Sequence, residues 1–414
     1  MGAITLGAIT AITPGDTAFV LISAALVLLM TPGLAFFYGG LVRHKNVLTI
    51  MMQSFIAMGV VTIIWILVGY SLAYSGGAGG VIGDFKLIGL QGVGMAPNQF
   101  APTIPALAFF LFQLMFAIIT PALISGAFAD RVSFKAYLVF LVLWSLLVYI
   151  PFVHWIWGGG FLAKLGVVDF AGGIVVHLSA GMAALASVFV VGKRRLKDGE
   201  STAPHNVPFV ALGAGLLWFG WFGFNGGSAL AANGVAAVAF VNTNTAAAVG
   251  MAAWLALTAW REGKMTLSGA ATGAVAGLAT VTPAAGYVPP LAAALIGLLA
   301  AIFCYFAIQF RAARRWDDAL DVWGVHGVGG GLGTILTGLF AVTAINHING
   351  LFAGDAHQFW VQVLGVAIAA VYAFGVTFLI LKLVNLFTPV RVSAEVEAKG
   401  LDQALHGEVA YDMP

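Results

Sequence analysis

Two imidazoles stand out in a chain that otherwise keeps ionisable groups out of its apolar stretches. "DFAGGIVVH" puts Asp169 eight positions before His177, and "DALDVWGVH" puts Asp318 eight positions before His326. The other six histidines fall at the ends of apolar stretches, in loops or in the tail. Burying a polar group without a partner costs about 2–7 kcal/mol, so rings at two such places call for partners or a polar path. The plain structural alternative is a neutral ring bonded to a carbonyl of a neighbouring helix. The repeated spacing argues against that happening twice by chance. Three chemistries stay open. A catalytic zinc site wants three protein ligands; the third would have to be Asp169 or Asp321, with no HExxH-like spacing, and no metal is expected. Two helix-borne imidazoles could clasp a haem. Two neutral imidazoles sharing a hydrogen bond could instead take up and hand on a proton.

The neighbouring residues weigh on that choice. "LFQLMFAIITPA" (111–122) places Phe112 and Phe116 four apart, on one helix face. "LLWFGWFGFNGGSA" (216–229) gives Trp221, Phe224 and Ser228 at spacings of three and four, and Trp157 stands just before "GGG". Tryptophans at membrane interfaces commonly anchor helices, and phenylalanines fill space. Together, a tryptophan, a phenylalanine and a hydroxyl could also hold a small cation by cation–π and hydrogen-bond contacts. A haem would want bulky aliphatic room and a propionate clamp, which these glycine-dense stretches do not offer.

The elements that must position these residues are membrane spans. The chain is 61% hydrophobic and 8% charged over 414 residues, against about 25% charged in soluble domains. Repeated apolar stretches of about 20 residues suit a hydrocarbon layer about 30 Å thick, and their length excludes a barrel of short alternating strands. Polar punctuation yields eleven spans, at 16–41, 48–75, 101–128, 134–157, 170–192, 207–231, 235–260, 266–283, 287–310, 322–343 and 358–387. In that division sixteen of the eighteen Lys and Arg residues share one side, and only Lys86 and Lys164 fall on the other. By the positive-inside rule the N-terminus lies outside and the C-terminus inside. The expected fold is therefore an all-α polytopic membrane protein with eleven transmembrane helices.

An odd span count is explained by an inverted repeat of five plus five helices followed by one C-terminal helix. The two Asp-to-His spacings, and "FFYGG" (36–40) set beside "FGFNGG" (222–227), are faint echoes of it. Inverted repeats place a substrate path between the halves, near the midplane. The 53 glycines and runs such as "AGMAALAS" (180–187) suit close helix packing. The Thr-Pro pairs at 31–32 and 282–283 read as helix kinks whose threonines re-satisfy freed carbonyls. Residues 1–388 form the membrane domain and 389–414 a tail on the inner side. The single cysteine, Cys304, excludes an internal disulfide. No Lys or Arg precedes Arg43, so no signal peptide is expected, and no basic run suggests nucleic acid.

Read in order, the motifs resemble one family, the ammonium transporter (Amt) family, along nearly the whole chain. They are "TPGLAFFYGGLVRHKNVL" (31–48), "FQLMFA" (112–117), "VHWIWGGGFLAKLGVVDFAGGIVVHLSAG" (153–181), "WFGFNGGSA" (221–229), "AFVNTNTAA" (239–247), "VTPAAGYV" (281–288) and "DVWGVHGVGG" (321–330). The tail "RVSAEVEAKGLDQALHGEVAYD" (391–412) resembles that family's cytoplasmic tail. "DFAGG" and the tail favour the Amt over the Rh branch. The resemblance implies a homotrimer in the inner (plasma) membrane with one pore per subunit. It implies an external recruitment site at Trp157, Phe112, Phe116 and Ser228, and stacked gate rings at Phe116 and Phe224. His177 and His326 would be the twin pore histidines, Asp169 a buried organiser of the vestibule, and Trp221 a residue packed beside the histidines. The tail would meet a PII-type regulator; because the chain ends soon after Tyr411, no fused sensor domain is expected.

That resemblance predicts a transporter, not an enzyme, which needs no cofactor and carries ammonium or ammonia, with methylammonium as an analogue. Physics gives the same selectivity argument. Ammonium matches potassium in size and charge, so pore diameter cannot separate them. Ammonium alone has a proton to lose, and burial shifts such an equilibrium toward the neutral form. Net charge movement is expected if the proton follows inward. The alternatives are a membrane redox protein with haem between the histidines and an ammonium sensor that barely transports.

Overall fold

The computed structural model describes residues 11–196 and 199–411. Lys197, counted among the inner basic residues, and Asp412 of the tail lie outside the described residues, as do the start of the expected membrane domain (1–10) and the end of the expected tail (412–414). Nine helices among the described residues are long and apolar enough to cross a membrane. They are α1 (Pro14–Leu41), α2 (His44–Tyr74), α3 (Ala106–Phe128), α4 (Phe134–Lys164), α5 (Gly173–Val191), α6 (Val207–Gly226), α7 (Gly234–Glu262), α9 (Pro290–Ala313) and α11 (Ala356–Phe387). Two further apolar helices complete the series. α8 (Leu267–Val281) has 15 residues, short of a full crossing by itself. α10 (Val328–Phe340) is entered through a π-helical turn at Trp323–Gly327. The fold is therefore all-helical with nine to eleven candidate spans.

The helix starts follow from local side chains. Thr13, Ser133, Asn206, Asn233, Thr266 and Asp355 each accept a hydrogen bond from a backbone N–H one turn into the helix that follows. Such caps satisfy donors that the helix itself leaves open. Prolines at the first or second position of α1, α6 and α9 serve the same boundary. Of the two Thr-Pro pairs, only one behaves as expected. The Thr282 hydroxyl donates to Leu278 O at 2.8 Å. The Thr31 hydroxyl is buried with no hydrogen-bond partner among the described residues; Pro32 lies inside α1 without that compensation.

Five of the spans depart from α geometry at π-helical turns, at Trp65–Gly69, Ser145–Tyr149, Gly173–Leu178, Phe222–Gly226 and Trp323–Gly327. A π turn inserts a residue and re-aims the side chains around it. His177, Phe224 and His326 each lie in one. α5 and the start of α10 also approach closely: a Cβ on Gly181 would lie 2.1 Å from the Gly327 backbone. On the same contact, a Cβ on Gly330 would lie 2.7 Å from the Cβ of His177. Only glycine fits there.

At one end of the bundle the tail docks on the loops. A short helix α12 (Ala394–Lys399) carries Glu397, which is fully buried, pairs with Arg391 at 2.8 Å and accepts from Arg195 N at 2.6 Å. Asp402 accepts from the N–H groups of Leu48 and Thr49 at 2.9 and 2.7 Å, which caps the start of α2. Asp130 takes Arg43 at 2.8 Å and Arg194 at 3.6 Å, and Arg194 also holds Asp317 at 2.8 Å. Burial would raise the Asp317 carboxyl, but the hydrogen bonds and charge of Arg194 overcome it and hold it at about 2. That pair stays ionised across the physiological range. The buried Arg131 guanidinium donates to four carbonyls, of Ala127, Ala129, Gly192 and Asp317.

The glycine contact yields a direct prediction. Gly181→Ala should destabilise the protein by about 1–3 kcal/mol, the usual cost of overpacking. Gly375→Ala, inside α11 with no atom beyond its own stretch of helix backbone within 4 Å, should be neutral or stabilising by up to about 1 kcal/mol. Thermal unfolding in detergent checks both; equal midpoints for the two variants would contradict the packing argument.

Candidate functional site

The two histidines meet. His177 Nδ1 lies 3.2 Å from His326 Nδ1, with ring centroids 5.2 Å apart and planes 17° from parallel. A contact of this kind needs one Nδ1 with its hydrogen and one with its lone pair. The first ring then offers a bare Nε2 and the second an Nε2–H. Among the described residues His177 Nε2 has no hydrogen-bond partner.

The rest of the lumen around the pair is apolar or already bonded. A void of about 10 Å³ is lined by His177, His326, Phe224, Trp221, Tyr38 and Val275 among others, room for about one water. The Tyr38 hydroxyl donates to Leu123 O at 2.9 Å, and Trp221 Nε1 donates to Thr282 Oγ1 at 2.9 Å. Among the lining side chains this leaves the imidazoles as those with hydrogen-bond donors to spare, with the Tyr38 oxygen still able to accept. Trp221 stacks on His177 with centroids 5.5 Å apart and a 22° tilt. Thr282 thus fixes the indole that supports the histidine, a role the Thr-Pro pair did not suggest from sequence.

Both histidines are positioned by a preceding aspartate. The Asp169 carboxylate accepts four backbone N–H groups, from Gly172, Gly173, Ile174 and Val175, at 2.6–3.1 Å. Gly172 serves this turn at φ +122°, a conformation that side-chain-bearing residues rarely adopt. With both oxygens so engaged, Asp169 organises the turn and has no capacity left for a metal. Asp318 does the same more sparsely, accepting from Trp323 N at 2.7 Å. Asp321 is held by Arg311 at 2.6 Å. Asp169, with both oxygens engaged, is therefore not free to act as a third metal ligand, and Asp321 has Oδ1 committed to Arg311.

Beyond Phe224 the path opens away from the tail. Phe116 and Phe224 pack against each other with centroids 4.4 Å apart and planes tilted by 40° rather than parallel. Above them a cavity of about 250 Å³ is lined by Phe116, Trp157, Ser228, Gln113 and Phe170 among others. Trp157 stands edge-on to Phe116, at 5.7 Å and 85°. Its Nε1 donates to the backbone carbonyl of Asp169 at 2.8 Å, so its ring face remains for the cavity. The Ser228 hydroxyl donates to Phe224 O at 2.8 Å and keeps its lone pairs. Phe112 is buried, 1% exposed, and is not among the cavity's lining residues. It packs against Phe116 at 5.0 Å and lies over Gly227.

On the tail side of the lumen a second cavity, of about 270 Å³, is lined by His326, Phe37, Tyr38, Arg194, Arg311 and Asp321 among others. His326 lines both this cavity and the lumen. The "FFYGG" segment therefore delivers Phe37 and Tyr38 beside His326. Sequence reading assigned no site role to Gln113, Tyr38 or Thr282. Gln113 carried the same signal as the histidines, being a polar side chain inside an apolar helix. The geometry also bears on haem. A metal–imidazole bond is about 2 Å, so the two ligating nitrogens stand about 4 Å apart across a porphyrin, with the metal between them. Near-parallel rings in direct Nδ1 contact leave no place for one.

Comparison with known proteins shows the family. Residues 18–411 match the Ammonium Transporter Family. The chain is 50% identical over 400 residues to the ammonium transporter of Bacillus subtilis (strain 168), covering 96% of this chain and 98% of that one. It is 45% identical over 397 residues to "Ammonium transporter Amt1" of Archaeoglobus fulgidus, covering 96% and 99%. The crystal structure of Saccharomyces cerevisiae Mep2 superposes with a TM-score of 0.87 at 35% identity, over 93% of this chain and 88% of that one. A structure described as "Sensor Amt Protein" gives 0.88 at 30% identity, over 95% and 98%. With nearly its full length matched by the family and by these relatives, the chain belongs to the ammonium transporter family and is a multi-pass helical membrane protein.

Proposed function

We propose that this protein takes ammonium from the Trp157 cavity, strips one proton from it and conducts ammonia past Phe116 and Phe224 along the paired histidines. The observation that carries this reading is the 3.2 Å contact between His177 and His326 in a lumen with almost no other available polar atom. A charge forced into such surroundings loses several kcal/mol of hydration. An acid escapes that cost by giving up its proton; potassium has none to give.

Recruitment rests on rings and a hydroxyl. Trp157 and Phe116 offer π faces to a cation, and Ser228 offers a lone pair. Phe112 supports them from behind. Below the aromatic pair, ammonia is a good partner for imidazoles: it donates to the bare Nε2 of one ring and accepts from the Nε2–H of the other. The proton that ammonium gives up goes to the bare Nε2 of one ring; that ring passes its Nδ1 proton to the bare Nδ1 of the other, which releases its own Nε2 proton on the tail side. The relay leaves both rings neutral with their tautomers exchanged, gives the proton a route and makes transport electrogenic.

The finer membrane topology belongs to the same reading. Eleven spans, N-terminus out and C-terminus in, put the Trp157 cavity outside and the tail inside, in the plasma (inner) membrane. The matched Asp–His units, each opening on a π turn, support two inverted halves of five helices and one added helix. Membership of the family supports a homotrimer and a tail that answers to a PII-type protein. Native mass spectrometry of the solubilised complex, with and without a PII-type protein, should give three copies and a heavier complex. A lone subunit would contradict the first expectation, and an unchanged mass the second.

The likeness to a protein described as a sensor keeps one second reading in view. The test is growth on limiting ammonium in a strain without its own uptake system. This protein should restore growth, and a His177→Leu, His326→Leu double variant of equal abundance should fail, with uptake down at least about tenfold. No rescue by the unaltered protein would favour sensing. Rescue by the double variant would make the histidines merely structural.

A further inference from the structure

Ammonium meets few side-chain hydrogen-bond acceptors in the Trp157 cavity. The ion carries four N–H donors. Among the described residues that line the cavity, only Ser228 and Gln113 have side-chain oxygens, the rest being aromatic or aliphatic apart from the Trp157 indole. The polar edge of Trp157 is already spent on Asp169 O. Ser228 alone would leave the ion leaning mainly on ring faces.

Gln113 is placed to make up the deficit. It lies one residue after Phe112 and three before Phe116, on a helix whose other buried side chains around it are apolar. Its side chain lines the cavity, yet the residue is only 8% exposed. Its Oε1 is buried and has no hydrogen-bond partner among the described residues. A buried, unbonded carbonyl is costly to keep, and a purely structural glutamine would be expected to have satisfied it. The two ends of a carboxamide have nearly the same shape. Turning the oxygen toward the cavity therefore forfeits no hydrogen bond at that atom and needs no extra room.

We propose that Gln113 is a further substrate-binding residue, whose carbonyl accepts an N–H from ammonium in the Trp157 cavity and sets a preference for cations that retain several N–H donors. This rests on the reading that the cavity recruits ammonium. The preference follows from the acceptor count. Ammonium and methylammonium can bond Ser228 and Gln113 together, whereas trimethylammonium, with one N–H, must choose between them. The rings alone would not make that distinction, because cation–π attraction does not need a proton.

The test is saturation kinetics of ammonium and methylammonium uptake by the full-length protein in proteoliposomes, with trimethylammonium as a competitor. Gln113→Leu should raise the half-saturating ammonium concentration about tenfold, as expected for one lost hydrogen bond to a charged ligand. The maximal rate should change little, and inhibition by trimethylammonium should strengthen relative to ammonium. Gln113→Glu keeps an acceptor and should leave half-saturation at or below its original value, which also guards against poor folding of the leucine variant. Equal kinetics for Gln113→Leu and the unaltered protein would overturn the proposal, as would equal losses in the leucine and glutamate variants. Trp157→Leu, run in parallel, separates the two levels. If it raises half-saturation while Gln113→Leu does not, the recruiting cavity stands and the role of Gln113 falls.

Discussion

The hydrogen bond between His177 and His326 constrains everything around it. It forms only if one Nδ1 is bare and the other protonated, so the two rings hold complementary tautomers. Their near-parallel rings, 17° apart, must be brought together by helices that can come very close. The glycines at 181, 327 and 330 permit that approach, and the π turns at Gly173–Leu178 and Trp323–Gly327 aim the rings. Asp169 and Asp318 fix those turns from their starts. Trp221 backs one ring and is itself held by Thr282. The site is a stack of dependencies, each resting on a specific donor or a missing side chain.

The arrangement also explains where polarity is allowed. Tyr38 and Trp221 border the void beside the histidines with their donors already used, so in the proposed route the histidines are the principal partners for what passes. The charged groups gather instead at the tail end, where Asp130, Asp317 and Glu397 are matched by Arg43, Arg194 and Arg391. Buried ion pairs are weak sources of net stability, but they do fix relative positions. Here Asp130–Arg43 and Asp317–Arg194 join loops to one another, while hydrogen bonds from Arg195 N to Glu397 and from Leu48 and Thr49 N to Asp402 tie the tail to the loop after α5 and to the start of α2.

Much of this could be read from the chain alone, and for definite reasons. Membrane spans are legible because hydrocarbon excludes polar side chains, so polar residues punctuate them and the intruding His177 and His326 stand out. The aromatic residues at 116, 157 and 224 were legible through helical spacing and the family's motifs. Other features were not. α8 has only 15 residues and α10 starts in a π turn, so length and hydropathy alone mark nine helices rather than eleven. π turns have no strong sequence signature. That Phe112 sits behind Phe116 rather than in the cavity depends on the packing of α3 on α6, which spacing does not report. Thr282 bonds an indole sixty-one residues away in sequence, and no local pattern encodes such a partner. Gln113 was visible in principle, since a glutamine amid phenylalanines needs the same explanation as a buried histidine.

The central claim of the proposed route is that the lumen admits a cation's proton and its base separately and refuses a cation that cannot divide. Current across proteoliposomes containing the purified protein, driven in turn by equal inward gradients of ammonium and of potassium, tests it most directly. The account predicts a saturable current with ammonium and none above empty liposomes with potassium. A potassium current of similar size, or ammonia uptake with no current at all, would contradict it.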